Sequence, residues 1–445
     1  MWSKKEAQAL RFLFNRFDKA DIHWMVFRNF EGLPDENPSK DVDLLINRKQ
    51  IPEARKILEK TMHDCGYHYR TFDEFQCIWC YSFFDEETLS SIKIDLFYGQ
   101  VWRGSPTVPF EKIYYSSTVY NGMKVPNPTM NAFLLWIKPV MTGGKTKEKY
   151  LPKIQRYVES EEFHQLTKET FGTQFYETVR PYLSREKIAD TGFFQKKMCM
   201  ISWKRAFFQN PCDVLVSTYM HFWVEIKRRS HRPIGTVVCL LGPDGVGKTT
   251  VLKKLKTTAT DLFIRDEDKV VVRHFRPNVF PNLKKAVSGK SYDPTTERFT
   301  EPHRAKQAGT FSSLARMTYY WLDYIIGWPA MQKECVNGRI ILYDRYIYDF
   351  YVDPRRSRIK LWDKVRLFFV KCTPHPDMVY VLIADASTIY RRKAELEPEE
   401  IERQVREYKD LSSKFGNLRL VNAEQARDDI VKEICQLWVK MLIPN

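Results

Sequence analysis

The sequence predicts an α/β protein with two domains and a helical connector between them. Its 445 residues are too many for one compact core, and a hydrophobic content of 43% is enough for two. After residue 233, short β-branched runs alternate with longer amphipathic stretches, which is typical of a doubly wound parallel sheet. A smaller strand–strand–helix–strand succession before residue 150 predicts an α+β domain. We therefore divide the chain into domains at 1–155 and 233–445 and a helical connector at 156–232.

The elements of the first domain follow from hydrophobic periodicity. Apolar residues three and four positions apart predict helices, and short apolar runs bounded by Gly, Pro or Asn predict strands. The expected helices are 5–19, 51–65, 129–140 and 146–170. The expected strands are 23–27, 41–46, 75–84 and 91–98.

The connector is mostly helical in pattern and ends in a basic stretch. Lys227, Arg228, Arg229 and Arg232 follow one another closely before a proline, which is typical of a domain boundary. The same cations would also suit contact with an anionic membrane surface, so peripheral membrane contact stays open beside simple solvation.

The second domain contains a complete phosphate-loop motif. Its expected strands are 236–241, 269–275, 339–343, 377–384 and 418–422. The first strand runs into G-x-x-x-x-G-K-[ST], and a helix follows, so backbone amides and a helix N-terminus converge on a polyphosphate. Lys248 is expected to reach the β- and γ-phosphates, and the Thr249 hydroxyl to hold Mg²⁺. The expected nucleotide-binding residues are Gly242, Asp244, Gly245, Gly247, Lys248, Thr249 and Thr250.

Further charged residues distinguish a kinase from other phosphate-loop proteins. Asp344 and Arg345 stand at the carboxyl end of a buried-type strand, the edge at which such sheets bind ligands. The aspartate suits a Mg²⁺ water or the acceptor's proton, and the arginine suits a phosphate. Arg391 and Arg392 are expected on a lid that neutralises charge on the transferring phosphoryl group. The alternative is a helix-capping aspartate beside a surface arginine.

These motifs resemble the thymidylate kinase family over residues 233–445. Gly242–Thr250 is similar to that family's G-x-D-G-x-G-K-[ST]-T loop, Asp344–Tyr346 to its D-R-[YH] motif, and Arg391–Arg392 to its lid arginines. The resemblance implies an ATP- and Mg²⁺-dependent kinase with Arg345 on the acceptor phosphate. The family's R-E-P-G-G-T acceptor motif is replaced here by Arg273–Asn278, so the acceptor is expected to be another nucleotide or a phosphorylated sugar. The residues expected to bind it are Arg276, Arg355 and Arg356.

A second candidate site lies in the first domain. Asp41 and Asp43 alternate along one strand and so share a face, and Asp95 lies on a later strand. Three converging carboxylates would suit Mg²⁺; the alternative is that they are unrelated solvated residues. The segment 20–150 resembles the polymerase-β type of nucleotidyltransferase, whose metal ligands these three would be. Arg28 stands where that family has a Gly-Ser turn and is a candidate phosphate ligand, as is Lys138.

Composition restricts the partners without selecting one. The formal charge of +16 favours anionic partners but cannot rank them, because no block of five or more basic residues marks a tail or a polybasic anchor. Nucleic acid is the partner that we least expect, and it stays open. The sequence has neither an N-K-x-D guanine motif nor a transporter-type signature. Their absence counts against a GTPase and against a transport ATPase. No apolar segment follows the charged N-terminus, so we expect a cytoplasmic protein, for which a homodimer stays open.

Three functions follow from these patterns. The first is the kinase, fused to a nucleotidyltransferase-like domain, an order that resembles proteins of which some are associated with bacterial surface-polysaccharide biosynthesis. The second makes nucleotide transfer to a sugar, protein or RNA the main activity. The third is a regulatory ATPase that binds nucleic acid or membrane.

Overall fold

The chain folds into two compact units. The computed structural model describes residues 2–37, 39, 41–75, 78–103, 105–229, 231–232, 234–264, 266–281 and 309–444. The N-terminal unit comprises Met1–Ser230 and Ile443–Asn445, and the C-terminal unit comprises His231–Leu442.

A six-stranded mixed sheet is the centre of the N-terminal unit. Its strands, in spatial order, are β1 (Trp24–Arg28), β2 (Val42–Ile46), β5 (Ser90–Phe97), β4 (Ile78–Asp85), β3 (Tyr69–Phe75) and β15 (Ile443–Pro444). β2 and β5 are parallel, and their neighbours are antiparallel. Two short hairpins lie beside the sheet: β6 (Gly99–Trp102) with β7 (Ser105–Pro109), and β8 (Ser117–Tyr120) with β9 (Met123–Pro126). Sequence periodicity predicted neither hairpin nor β3, and Gln76 and Cys77 of the expected strand 75–84 lie outside the described residues.

Helices cover this sheet and extend into the expected connector. They are Lys4–Lys19, Ile51–Asp64, Phe110–Tyr115, Pro128–Gly143, Leu151–Tyr157, Glu161–Phe171, Thr173–Val179, Gln195–Gln209 and Pro211–Arg228. The single helix expected at 146–170 is wrong, because Ser160 starts a new helix and its hydroxyl accepts a bond from the Phe163 amide. Phe163, Phe175 and Met198 pack in one core with Trp136, so much of 156–232 shares the core of the N-terminal unit.

The C-terminal unit is built on a five-stranded parallel sheet. The spatial order is β11 (Val270–His274), β12 (Ile340–Asp344), β10 (Val237–Leu241), β13 (Met378–Ile383) and β14 (Leu418–Asn422). All five strands expected from the sequence are present. β12 and β13 lie on opposite sides of β10 in the sheet, so the strand order reverses at β10. A crevice opens at the carboxyl end of β10 as a result.

Helices pack on both faces of this sheet. They are Lys248–Ala259, Thr310–Val336, Asp349–Val352, Asp363–Lys371, Ala386–Arg392, Pro398–Lys414 and Arg427–Lys440. Buried tyrosines from β12, from the turn after it and from Thr310–Val336 form much of the core on one face, among them Tyr324, Tyr343 and Tyr346. This packing holds the carboxyl end of β12 beside that of β10.

Candidate active sites

The loop after β10 adopts a conformation that needs glycine. Gly242, Gly245 and Gly247 have φ of 141°, 87° and 105°. A Cβ on Gly242 would lie 2.5 Å from the Leu382 carbonyl oxygen, so the backbone passes too close to β13 for any side chain. The helix Lys248–Ala259 starts directly after the loop, and its first amides face the crevice end of the sheet.

Lys248 is buried in this loop and held by it. Its ammonium donates hydrogen bonds to the carbonyl oxygens of Gly242 at 2.7 Å and Pro243 at 2.8 Å. Burial, with the nearby Arg345 cation, lowers the pKa of Lys248 to about 8. The two carbonyls therefore hold in place a cation that a phosphate oxygen would bind more strongly.

The end of β12 presents a charged pair in a strained backbone. Arg345 has a φ of 72°, rare for a residue with a side chain, and its amide donates to the Leu240 carbonyl at 3.0 Å. The buried guanidinium forms an ion pair with Asp349, one helical turn later. Tyr408 donates a 2.9 Å bond to the same carboxylate, so Asp349 orients the arginine.

Asp244 of the loop lies between two arginines. Arg345 and Arg356 each form an ion pair with its carboxylate, one through each oxygen. Lys248 lies 3.7 Å from it. The loop carboxylate thus gathers three cations at the carboxyl end of β10, where an anionic ligand would find them.

Asp344 has the features of a cation ligand. It pairs with Leu240 in the parallel register, which puts it beside the start of the loop. His274 Nδ1 lies 3.4 Å from one carboxylate oxygen, whereas the buried Oδ1 has no hydrogen-bond partner among the described residues. Burial opposes ionisation, but the bond from His274 holds the pKa of Asp344 below its ordinary value. An ionised carboxylate with an unsatisfied oxygen fits Mg²⁺ or a Mg²⁺ water, together with the exposed Thr249 hydroxyl.

The two expected lid arginines differ in their contacts. Arg392 donates to the carbonyls of Val246 at 3.4 Å and Ala423 at 3.0 Å, which ties its helix to the loop. Both arginines are exposed, and among the described residues Arg391 contacts Ser387 and Thr388 of its own helix. Arg391 thus differs from Arg392 in having its contacts within one helix.

A shallow cleft lies beside the start of the loop helix. It has a volume of about 370 Å³ and is lined by Thr249, Thr250, Lys253, Lys254 and Arg427. Three of these five residues are cations, so the cleft suits an anionic group next to the glycine-rich loop.

Two of the expected acceptor-binding arginines lie elsewhere. Arg276 is buried and pairs with Asp323 at 3.2 Å, and its guanidinium lies 5.3 Å from the Tyr320 ring. Asp323 also accepts the amides of Asn278 and Phe280, so this pair shapes the turn after β11. Arg355 is exposed. Of the three, Arg356 is the one that reaches the loop.

In the N-terminal unit, β2 and β5 bring three carboxylates together. Asp43 and Asp95 are directly paired residues of these parallel strands, and Asp41 immediately precedes β2. One oxygen from each lies within 4.8 Å of the others. Within the described part of the chain, the buried Asp95 Oδ1 has no hydrogen-bond partner, and burial raises the pKa of Asp95 to about 7. An orphaned oxygen among three carboxylates fits a divalent cation.

Cations surround the same carboxylates. Arg28 forms a bidentate pair with Asp43, with Nε and Nη2 at 2.6 and 3.1 Å, and Lys93 lies 3.7 Å from Asp41. Although burial opposes it, Arg28 holds the pKa of Asp43 below its ordinary value. Lys138 lies 4.7 Å above the Phe97 ring, and burial, with the Arg28 charge, lowers its pKa to about 7. Three cations thus balance three carboxylates.

Four residues at these sites were not assigned a role from the sequence. Lys93 could have been found, because it lies two positions before Asp95 and so on the same face of β5. Asp349 could have been found from its i,i+4 spacing to Arg345. His274 and Tyr408 left no local signal, since each meets its partner only through the tertiary packing.

The fold and these sites define a mixed α/β protein with a glycine-rich, lysine-containing loop at the edge of a parallel sheet. Among the described helices, none is both long enough and apolar enough to cross a membrane.

Comparison with solved structures gives a likeness in fold, of which one example is described here. No family model and no curated protein matches the chain. The chain is similar to the solved thymidylate kinase from Ehrlichia chaffeensis, with 14% identity, a TM-score of 0.32, and coverage of 46% of this chain and 98% of that one. An identity this low carries no information about activity or substrate.

Proposed function

We propose that the C-terminal unit is an ATP- and Mg²⁺-dependent phosphotransferase whose acceptor is a nucleotide or a phosphorylated sugar. The observation that carries the proposal is the position of Lys248, buried among carbonyls of a loop that only glycine can form. A lysine is buried in this way where its ammonium exchanges carbonyl partners for phosphate oxygens.

The donor half of the reaction uses the loop and its helix. The amides of Gly245, Gly247 and Lys248 bind the β-phosphate, and the Lys248 ammonium bridges to the γ-phosphate. Thr249 and Asp344 would hold Mg²⁺, which would supply charge neutralisation on the transferring group. Arg391 approaches from the lid as negative charge develops.

The acceptor half uses the arginines that Asp244 gathers. Arg345 binds the acceptor's phosphate and is kept in position by Asp349. Arg356 extends the same anionic site. Two guanidiniums at one point favour an acceptor that already carries phosphate over a neutral alcohol, because a phosphate can replace the Asp244 carboxylate as their anionic partner and an alcohol cannot.

The experiment measures transfer from labelled ATP to a panel of nucleoside monophosphates and sugar phosphates, with products detected by mass. Lys248→Ala is expected to abolish ADP formation while the thermal unfolding profile is kept. Lys432→Ala, an exposed lysine of the same unit, is the matched control and is expected to retain full turnover. Phosphoryl transfer that persists in Lys248→Ala contradicts the proposal.

A second candidate function is nucleotide transfer by the N-terminal unit. Convergence of Asp41, Asp43 and Asp95 favours it, because two Mg²⁺ ions on such carboxylates activate a hydroxyl and stabilise leaving pyrophosphate. The bidentate Arg28–Asp43 pair opposes it, since a metal at Asp43 must displace a guanidinium.

Pyrophosphate release separates the two activities. Each labelled triphosphate is incubated with the full chain, with Asp41→Asn and with Lys248→Ala. Pyrophosphate that disappears only in Asp41→Asn supports nucleotide transfer, whereas ADP that disappears only in Lys248→Ala supports the kinase. If Asp41→Asn changes neither product, the N-terminal carboxylates are not catalytic.

A further inference from the structure

The helix Pro211–Arg228 has its apolar side toward solvent. Its large exposed side chains include Tyr219 at 67%, Phe222 at 58% and Trp223 at 45% of their full exposure. Leu215, Val216, Met220 and Ile226 are exposed as well. With 3.6 residues per turn, these seven positions fall within an arc of about 160° on one side of the helix.

The opposite side of this helix packs its polar groups against the protein. Ser217 and His221 are buried. The Ser217 hydroxyl accepts a 3.4 Å bond from Arg48, and Arg228 lies 3.3 Å from Asp73. An ordinary surface helix has its apolar side toward the protein, whereas this helix has its apolar side toward solvent. The free-energy cost of exposing that apolar surface to water is removed only if an apolar partner covers it.

This helix and its neighbour also carry an excess of cations. The helix Gln195–Gln209 packs alongside, with the Trp203 indole N–H donating to the Thr218 hydroxyl at 3.3 Å. Residues 195–229 contain seven cations and two carboxylates, a larger excess than the chain average. Those cations are Lys196, Lys197, Lys204, Arg205, Lys227, Arg228 and Arg229.

We propose that the hairpin 195–229 docks on an anionic lipid surface, with the helix Pro211–Arg228 lying in the plane of the interface. The aliphatic and aromatic side chains enter the boundary between headgroups and acyl chains, where Trp and Tyr are preferred. The lysines of the hairpin meet the lipid phosphates, whereas Arg228 stays paired with Asp73 on the packed side. Lys227, whose ammonium lies 5.6 Å from the Trp223 ring, joins the two kinds of contact at one end.

Charge separates this occupant from the alternatives. A second copy of the chain would bring the same cations against themselves across a two-fold axis, which costs several kcal/mol when like charges meet. A polynucleotide offers phosphates but no apolar layer for Leu215, Val216 and Ile226. Of these partners, an anionic bilayer supplies both the phosphates and the apolar layer.

The test is flotation of the full chain with phosphatidylcholine vesicles, with and without about one third phosphatidylserine. Binding is expected only to the anionic vesicles, and to weaken as salt rises. Phe222→Ser with Trp223→Ser is expected to lower the partition coefficient at least about tenfold, because two large apolar contacts are lost. Trp362→Ser with Phe368→Ser removes a more exposed aromatic pair from the other unit and is expected to leave binding unchanged.

A second variant keeps the test valid if the serine variant misfolds. Lys196→Glu with Lys204→Glu leaves the apolar side intact, and it is expected to abolish the preference for phosphatidylserine. Equal binding to neutral vesicles, or equal binding by all variants, overturns the proposal. A dimer in sedimentation velocity that dissociates in Phe222→Ser with Trp223→Ser, without vesicle binding by the parent chain, also overturns it and assigns the surface to a second copy.

Discussion

The Asp244 carboxylate in the phosphate loop forms an ion pair with the Arg345 guanidinium at the end of β12, 101 residues away in the sequence. Arg356 forms a second ion pair with the same carboxylate. The Asp244 carboxylate thus takes the place beside the two arginines that an anionic ligand would take. In the proposed reaction, the acceptor's phosphate competes with Asp244 for these arginines. Substitutions at Arg345 and Arg356 separate what these ion pairs contribute to stability from what they contribute to binding.

Replacing the two arginines is expected to have different effects. Arg345→Ala leaves Asp349 buried without its cation, so we expect the C-terminal unit to lose about 3 kcal/mol of unfolding free energy as well as activity. Arg356 is only half-buried, so Arg356→Ala should cost under about 1 kcal/mol but raise the KM for the acceptor. Chemical denaturation and steady-state kinetics check both. Equal losses of stability in the two variants would show that burial does not distinguish them.

The loop glycines provide a matched pair of substitutions. Gly242→Ala puts a Cβ 2.5 Å from the Leu382 carbonyl oxygen, whereas a Cβ on Gly247 meets nothing within 4 Å. Both positions have positive φ, so both variants carry strain of roughly 1 kcal/mol, but only Gly242→Ala should also displace the loop and lose nucleotide binding. The check is the ATP-dependent rise in melting temperature. A larger rise in Gly242→Ala than in Gly247→Ala would contradict the close approach to β13.

Two carboxylates of the N-terminal unit should respond oppositely to neutralisation. Asp43→Asn breaks the bidentate pair and leaves Arg28 without its carboxylate, so we expect a loss of about 3 kcal/mol. Asp95→Asn removes a charge that repels Asp43 and Asp41, so stability should be unchanged or higher. If the cluster binds Mg²⁺, both variants lose the Mg²⁺-dependent shift in melting temperature. A shift that is retained in both variants excludes these carboxylates as its source.

His375 is expected to contribute to the pH dependence of the C-terminal unit. Burial lowers its pKa in the folded protein, and the Tyr348 hydroxyl lies 2.9 Å from its Nδ1. Because the unfolded chain then binds the proton first, stability is full above about pH 6.5 and falls as the pH drops below it. His375→Gln should flatten this acid limb by up to about 1 kcal/mol per pH unit, measured by denaturation at several pH values. The exposed His231→Gln is the control, and an unchanged acid limb in His375→Gln would exclude this histidine.

Local sequence patterns were enough for much of the fold. Most strands of the parallel sheet are short apolar runs typical of a buried strand, and all five were predicted from the sequence. The hairpins β6–β7 and β8–β9 were missed, because four- and five-residue strands have too few alternations to show a period. The break at Ser160 was missed because apolar spacing continues on both sides of it.

The sequence by itself determined the phosphate loop, since three glycines, a lysine and a threonine at fixed spacing permit one backbone path between strand and helix. It also determined which residue types carry charge at the ends of β2, β5 and β12. Only the tertiary structure decided their partners: strand order put Asp344 beside the loop, parallel register put Asp43 opposite Asp95, and side-chain packing gave Arg276 to Asp323 and Arg356 to Asp244. Spacing along one strand or helix is local, whereas a salt bridge between residues about a hundred positions apart exists only once the core has brought their elements together.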